Sequence, residues 1–279
     1  MRPLWSYQSP SPLRGLRLAR EPGTPLVWDA NHVLTWLSPT GAVHARWEAP
    51  APVAAVDCAD DGCAAVAVGT AGQVWFLDPE LKPRWQRAVA EKALAVAVAP
   101  FAGLLAVADG AGPVHFLDDA GRDIAKAKNP RPFLHLAFVP ERPLLIGCAD
   151  FGSLAAFSLS GKRRWQESPL AHCGSLALTG DGLLIALACF SDGLSLYDIR
   201  GARCKIGPRP GPCRLVALSY DGSTLLTAGL DGSVRLHDRT GTVRSEFRPE
   251  ATVAALALDA LGTMAFVGLA NGKVLALAE

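Results

Sequence analysis

Six histidines (His32, His44, His115, His135, His172 and His237) and seven cysteines (Cys58, Cys63, Cys148, Cys173, Cys189, Cys204 and Cys213) are the side chains in this 279-residue chain most able to do chemistry. Structural zinc would need Cys or His pairs at short fixed spacing, and catalysis would need a nucleophile with its base, a carboxylate pair or metal ligands converging on one pocket. The cysteines form no CxxC pair and no Cys/His cluster of ligand spacing, so they read as small buried thiols. Cys148 and Cys189 each precede a turn glycine by four residues, which puts them on equivalent strands for packing. A phosphate loop of the form GxxxxGK[ST] is absent, and Gly110-Ala-Gly112 reads as a hairpin turn. Asp192 and Asp231 each precede a glycine, where the carboxylate is expected to bond the local backbone. The chain is therefore expected to be no enzyme, and to hold no cofactor and no metal.

Charge excludes a further class. Twenty-seven basic and 26 acidic side chains leave a net charge of +1, without the clustered excess of Lys and Arg that nucleic acid requires. No uninterrupted apolar run is long enough to span a bilayer, and Met1-Arg-Pro-Leu-Trp-Ser-Tyr7 lacks the apolar run of a secretory signal. A cytoplasmic monomer with no membrane and no nucleic-acid partner is the expectation.

What must position any site is a repeat. Turn glycines stand at Gly72, Gly112, Gly152, Gly193, Gly232 and Gly272, at intervals of 40, 40, 41, 39 and 40, and one further step back lands on His32. The sixth copy shows the grammar best: Arg214-Leu-Val-Ala-Leu-Ser219, Ser223-Thr-Leu-Leu-Thr-Ala228, Ser233-Val-Arg-Leu-His-Asp238 and Thr242-Val-Arg-Ser-Glu-Phe247 are four short β-prone runs. Asp-Gly, Asp-Gly and Thr-Gly punctuate them, residues that accept the positive φ of tight hairpin turns. Each copy is predicted to be a four-stranded antiparallel meander, strands a to d.

Strand d carries a tryptophan at Trp85 and Trp165, and more loosely at Trp47. Arg2-Pro-Leu-Trp5-Ser6 has the same character, whereas the seventh copy stops after strand c at Lys273-Val-Leu-Ala-Leu277. The leading segment is therefore predicted to supply the missing strand and to close a ring with no open edges. The fold class expected is all-β, a single-domain seven-bladed β-propeller over 1–279. Its blades lie near 12–50, 51–90, 91–130, 131–170, 171–210, 211–250, and 251–279 joined to 1–11.

Leu230-Asp-Gly-Ser-Val-Arg-Leu-His-Asp238 resembles the b-to-c turn and strand c of the WD-repeat propellers, although the naming Trp-Asp pair reads His237-Asp238, Tyr197-Asp198, Phe157-Ser158 and Trp36-Leu37 here. That resemblance implies a structural network through Asp231, Thr227 and His237, with His172 and Asp192 as its fifth-copy counterparts. Gly161-Lys-Arg-Arg-Trp165 also resembles the repeats of pyrroloquinoline-quinone-type propellers, which implies a tryptophan docked between blades.

Two functions are compatible with such a frame. The first is a non-catalytic scaffold that binds another protein or a peptide on the face where the b-to-c and d-to-a connections open. Large apolar residues at or near the b-to-c turns (Trp28, Phe151, Phe190, Leu230 and Leu269) are unusual there, and Trp28, Phe151, Phe190 and Leu230 are taken as anchors. The basic segments Lys126–Arg131 and Arg203–Arg209 place Arg131 and Arg209 at the rim. The second is a small-ligand or enzymatic propeller using the central channel. It ranks lower because the strand-a runs Val53–Val56, Leu94–Val98, Leu176–Leu178 and Val253–Leu256 are almost wholly aliphatic.

Overall fold

A computed structural model describes all residues except Gly152, Leu170 and 205–210. Its strands form seven antiparallel sheets in a ring, a seven-bladed all-β propeller. Six sheets have four strands in meander order. The fifth has three (Cys173–Leu178, Ile185–Cys189 and Gly193–Tyr197) plus one bridge, Tyr197 to Arg203, just before the segment outside the described residues.

Burial changes systematically from hub to rim. Strands b and c are buried on both faces, as in Ala65–Gly69 and Ser153–Ser158, because each blade packs between two others. That is why they read as continuous apolar runs with no period-2 alternation. Strand d is the outer edge, and Pro83–Ala88 alternates exposed with half-buried residues.

Ring closure takes the predicted form. Arg2–Gln8 pairs antiparallel with Lys273–Ala278, with a bulge between Pro3 and Trp5, and the Ser9 N–H donates to Gly272 O at 2.9 Å. The blades are also tied at the hub. Just beyond strand a of five blades, backbone N–H groups reach the next blade: Glu21 to Asp60 O, Asp60 to Pro100 O, Glu141 to Gly180 O, Gly180 to Tyr220 O and Tyr220 to Ala260 O, all within 3.0 Å. No such bond leads on from the third or the seventh blade among the described residues; Pro100 has no N–H to donate, although beside the matching Pro140 the next residue, Glu141, donates instead.

Alternate blades dock through tryptophan. The indole N–H of Trp5, Trp85 and Trp165 donates to Pro39 O, Asp119 O and Ile199 O of the following blade at 2.8, 2.7 and 2.7 Å. Each ring lies on the c-to-d turn glycine there, Gly41, Gly121 or Gly201, where an added Cβ would press into it. The second blade has Leu81 at this turn position with φ +57°, buried in the cluster that Trp47 borders. His32 likewise holds the b-to-c turn position of the first blade with φ +62°. An imidazole tolerates this conformation better than a β-branched side chain, and its Nδ1 accepts the Val53 N–H at 3.2 Å, tying the turn to the next blade.

Candidate functional site

The b-to-c and d-to-a connections share one face, and on the fourth and fifth blades they build an aromatic cluster. The Phe151 ring meets His172 edge-on at 3.9 Å between centroids, and Phe190 meets His172 edge-on at 6.3 Å. Asp150 lies 3.5 Å from His172 Nδ1 and accepts the Cys173 N–H at 3.1 Å, which fixes the loop. The Arg131 guanidinium donates to the carbonyl of Phe151, so this rim residue holds the cluster from the neighbouring connection. Phe151 is 45% exposed and Leu230, one blade beyond Phe190, is 54% exposed. Arg209 lies outside the described residues.

Trp28 is placed otherwise. It is only 7% exposed, and Leu269 is wholly buried. Counting back from the turn residue gives the reason: Phe151 and Leu230 are one and two positions before it, where the chain has left the sheet. Leu269 is three before and Trp28 four before, within the end of strand b, where side chains are enclosed by the adjoining blades, whereas Phe190, also three before, stands one residue past its strand and is half-buried. Trp28 is therefore a wall residue rather than a turn-tip anchor. Exposed apolar residues missing from the sequence reading stand on a-to-b turns at the opposite face: Phe101, Leu183 and Leu261. They lie on the third, fifth and seventh blades, so they form no single patch.

The central channel is less aliphatic than the strand-a runs suggest. A cavity of about 410 Å³ is lined by Arg14, Arg17, Arg20, Asp57, Asp60, His135 and Ser175 among alanine, leucine and valine. Arg14 and Arg17 come from strand a of the first blade, whose sequence Leu13-Arg-Gly-Leu-Arg-Leu-Ala19 differs from the other six copies, and Asp57 falls one residue beyond a run that ends at Val56. An ionisable residue inside an inner strand was the available signal. Arg20 and Asp60 pair through two hydrogen bonds of 3.0 and 2.9 Å, and Tyr220 faces the Arg20 guanidinium at 5.2 Å. Asp57 and Ser175 stitch neighbouring blades by accepting N–H groups of Val98 and Val216, each at 2.8 Å.

Burial pushes the Asp57 carboxyl up to about 6 from its ordinary 3.8, against the opposing pull of Arg17 and the Val98 and Cys58 N–H groups, with Asp60 adding to the rise. A group that binds its proton more tightly when folded stabilises the fold fully below pH 3.8, and that contribution is lost as pH rises through about 6. The unfolding free energy of Asp57→Asn minus that of the wild type is therefore expected to rise by up to about 3 kcal/mol between about pH 3.5 and 7.5. Urea melts of both proteins across that range measure it; a difference independent of pH would refute the burial of this carboxylate.

The histidines do not converge. His115 and His237 lie in strand c; burial lowers both below the usual histidine range, and Thr227 Oγ1 bonds His237 Nε2 at 2.9 Å. Asp231 does not join that pair. It accepts from the Ser233 N–H and hydroxyl at 3.1 and 2.7 Å, and these bonds hold its carboxyl down at about 2. In the fifth blade His172 faces Asp150 rather than Asp192. The cysteines are free thiols, five of the seven buried. Among the described residues no group of His, Cys, Asp and Glu is arranged to hold a metal, and no helix is long and apolar enough to cross a membrane. No known family model matches the chain, and no curated protein is significantly similar to it.

Proposed function

We propose that this propeller is a non-catalytic interaction scaffold that binds a protein or peptide on the b-to-c and d-to-a face, with Phe151, Phe190 and Leu230 as apolar anchors and Arg131 at the rim. The observation that carries the reading is Phe151. Its backbone sits at φ +47°, a conformation costly for a bulky side chain; the ring packs against His172, the carbonyl accepts from Arg131, and the residue is 45% exposed. The packing on His172 thus still leaves surface that a partner can bury. A rigid aromatic cluster on a fixed frame loses little side-chain entropy on binding, which favours recognition by a few large residues. The three anchors lie on consecutive blades, so the surface is an arc around one side of the channel mouth.

Replacing both Phe151 and Phe190 by Ser is expected to abolish capture of the partner in pull-downs from source-cell extract, while shifting the melting temperature by no more than roughly 3 °C, since Phe151 is exposed and Phe190 half-buried. Equal recovery of the same protein by wild type and variant, or a far larger loss of melting temperature, would assign the cluster to packing.

A further inference from the structure

The channel contains a cationic arrangement that the face-binding reading leaves unused. Five charged side chains line it: Arg14, Arg17 and Arg20 against Asp57 and Asp60. Arg20 and Asp60 satisfy each other through a bidentate pair. That leaves Arg17 beside Asp57, with Arg14 exposed on the same strand. Arg17 Nε stands 3.3 Å from Asp57 Oδ1, and Arg17 Nη1 donates to Leu16 O at 3.2 Å. Its Nη2 has no hydrogen-bond partner among the described residues, and neither does the guanidinium of Arg14. The acceptor capacity of Asp57 is divided further, because its second oxygen takes the Val98 N–H.

Arg17 is also held in place. Its guanidinium carbon stands 5.9 Å from the centroid of the Trp28 ring, a cation–π distance, and Trp28 itself lies against Gly15, where any Cβ would collide with the indole. Its side chain remains 45% exposed to the channel. A guanidinium fixed by an aromatic wall, with unused donors opening on a cavity, is what bidentate recognition of a carboxylate or phosphate requires. The cavity volume of about 410 Å³ suits a small molecule. Aliphatic walls from the other strands lower the polarity around any charge interaction inside.

From this geometry we infer that the channel is a binding site for a small anion, carboxylate or phosphate, held by the free donors of Arg17 and Arg14 against the Trp28 wall. Arg17 supplies orientation and Arg14 a second charge. Asp57 is the internal competitor: it keeps Arg17 aligned in the empty site and repels an incoming anion when ionised. Removing its charge is therefore expected to strengthen binding, a sign that a purely structural ion pair would not give.

The test is isothermal titration of the full chain at low salt and neutral pH with inorganic phosphate and, separately, citrate. Saturable binding of one or both is expected, and which one binds distinguishes a phosphate from a carboxylate ligand. Arg14→Ala, an exposed residue without a partner among the described residues, is expected to weaken binding about tenfold through loss of one charged hydrogen bond, and Asp57→Asn to tighten it several-fold. Circular dichroism confirms that both variants are folded. No saturable binding of either anion at millimolar concentration would overturn the inference, as would affinity that neither variant changes. The Phe151/Phe190 double variant is expected to bind the anion as the wild type does, which keeps this result independent of the face-binding reading.

Discussion

Removing residues 1 to 9 is expected to destabilise the propeller by on the order of 5 kcal/mol or more and to make it aggregate. The deletion takes away strand d of the seventh blade and unpairs the backbone of Lys273–Ala278, whose side chains Val274, Leu275, Ala276 and Leu277 are all buried. It also removes Trp5, whose indole donates to Pro39 O, stacks over Gly41 and approaches Phe266 at 6.0 Å. Ser9 goes with it, and its hydroxyl bonds Asp29 Oδ2 at 3.0 Å. The last blade would then present a long apolar strand with a row of free N–H and C=O groups, the geometry that templates association between chains. Urea melts and light scattering measure the two effects. A synthetic peptide of residues 1–9 added in trans is expected to restore solubility, and the same peptide with Trp5→Ala to do so less well. A truncated chain as stable and monodisperse as the parent would refute the role of this strand in closing the ring.

The circular fold was legible because each repeat carries its own local punctuation. Turn glycines and strand-d tryptophans are set by contacts within a blade or with the next one, so they recur with the period of the chain. Even the exceptions are local: His32 and Leu81 take up positive φ because the turn imposes it, and each gains a contact with a neighbouring blade in exchange. The docking of Trp5, Trp85 and Trp165 onto the following blade repeats at a fixed separation of 34 residues between the indole and its carbonyl acceptor, which makes it readable from spacing once one example is known.

The candidate sites were less legible, for two different reasons. On the loop face, distance from the turn residue decides whether a side chain is solvated or enclosed, and a one- or two-residue step moves it across that boundary. Phe151 and Trp28 look alike in a list of apolar residues near turns and lie on opposite sides of it. In the channel the obstacle is convergence. Arg14 and Arg17, Asp57, His135 and Ser175 belong to four different blades and meet only because the ring brings every strand a to the hub. Nothing in the spacing of one copy announces that meeting. The aliphatic character of most strand-a runs is real, but a few charged residues contributed by different copies are enough to change the chemistry of a narrow shared space.

Trp28 tests both the enclosure argument and the support of Arg17. Truncation to Ala is expected to cost about 3 to 5 kcal/mol, and roughly 10 °C in melting temperature, because a large ring only 7% exposed is replaced by a cavity. Its cluster mates Leu26, Leu34, Trp36 and Val56 belong to two blades, so collapse to fill the hole would have to move one sheet relative to another. A loss below about 1 kcal/mol would place the ring at the surface after all. The indole's position over Gly15 allows a sharper version of the experiment. Gly15 lies in strand a without a positive φ, so an alanine there is acceptable to the backbone, and the indole is the nearest obstacle to its methyl group. In the wild type Gly15→Ala is therefore expected to destabilise by about 2 kcal/mol or more through overpacking. In the Trp28→Ala background the same change is expected to be neutral or stabilising, since its methyl group then enters the vacated space and replaces a flexible residue in a strand. A reversal of sign between the two backgrounds reports direct contact between residues 15 and 28; equal penalties in both would mean that the cost of alanine at position 15 arises elsewhere.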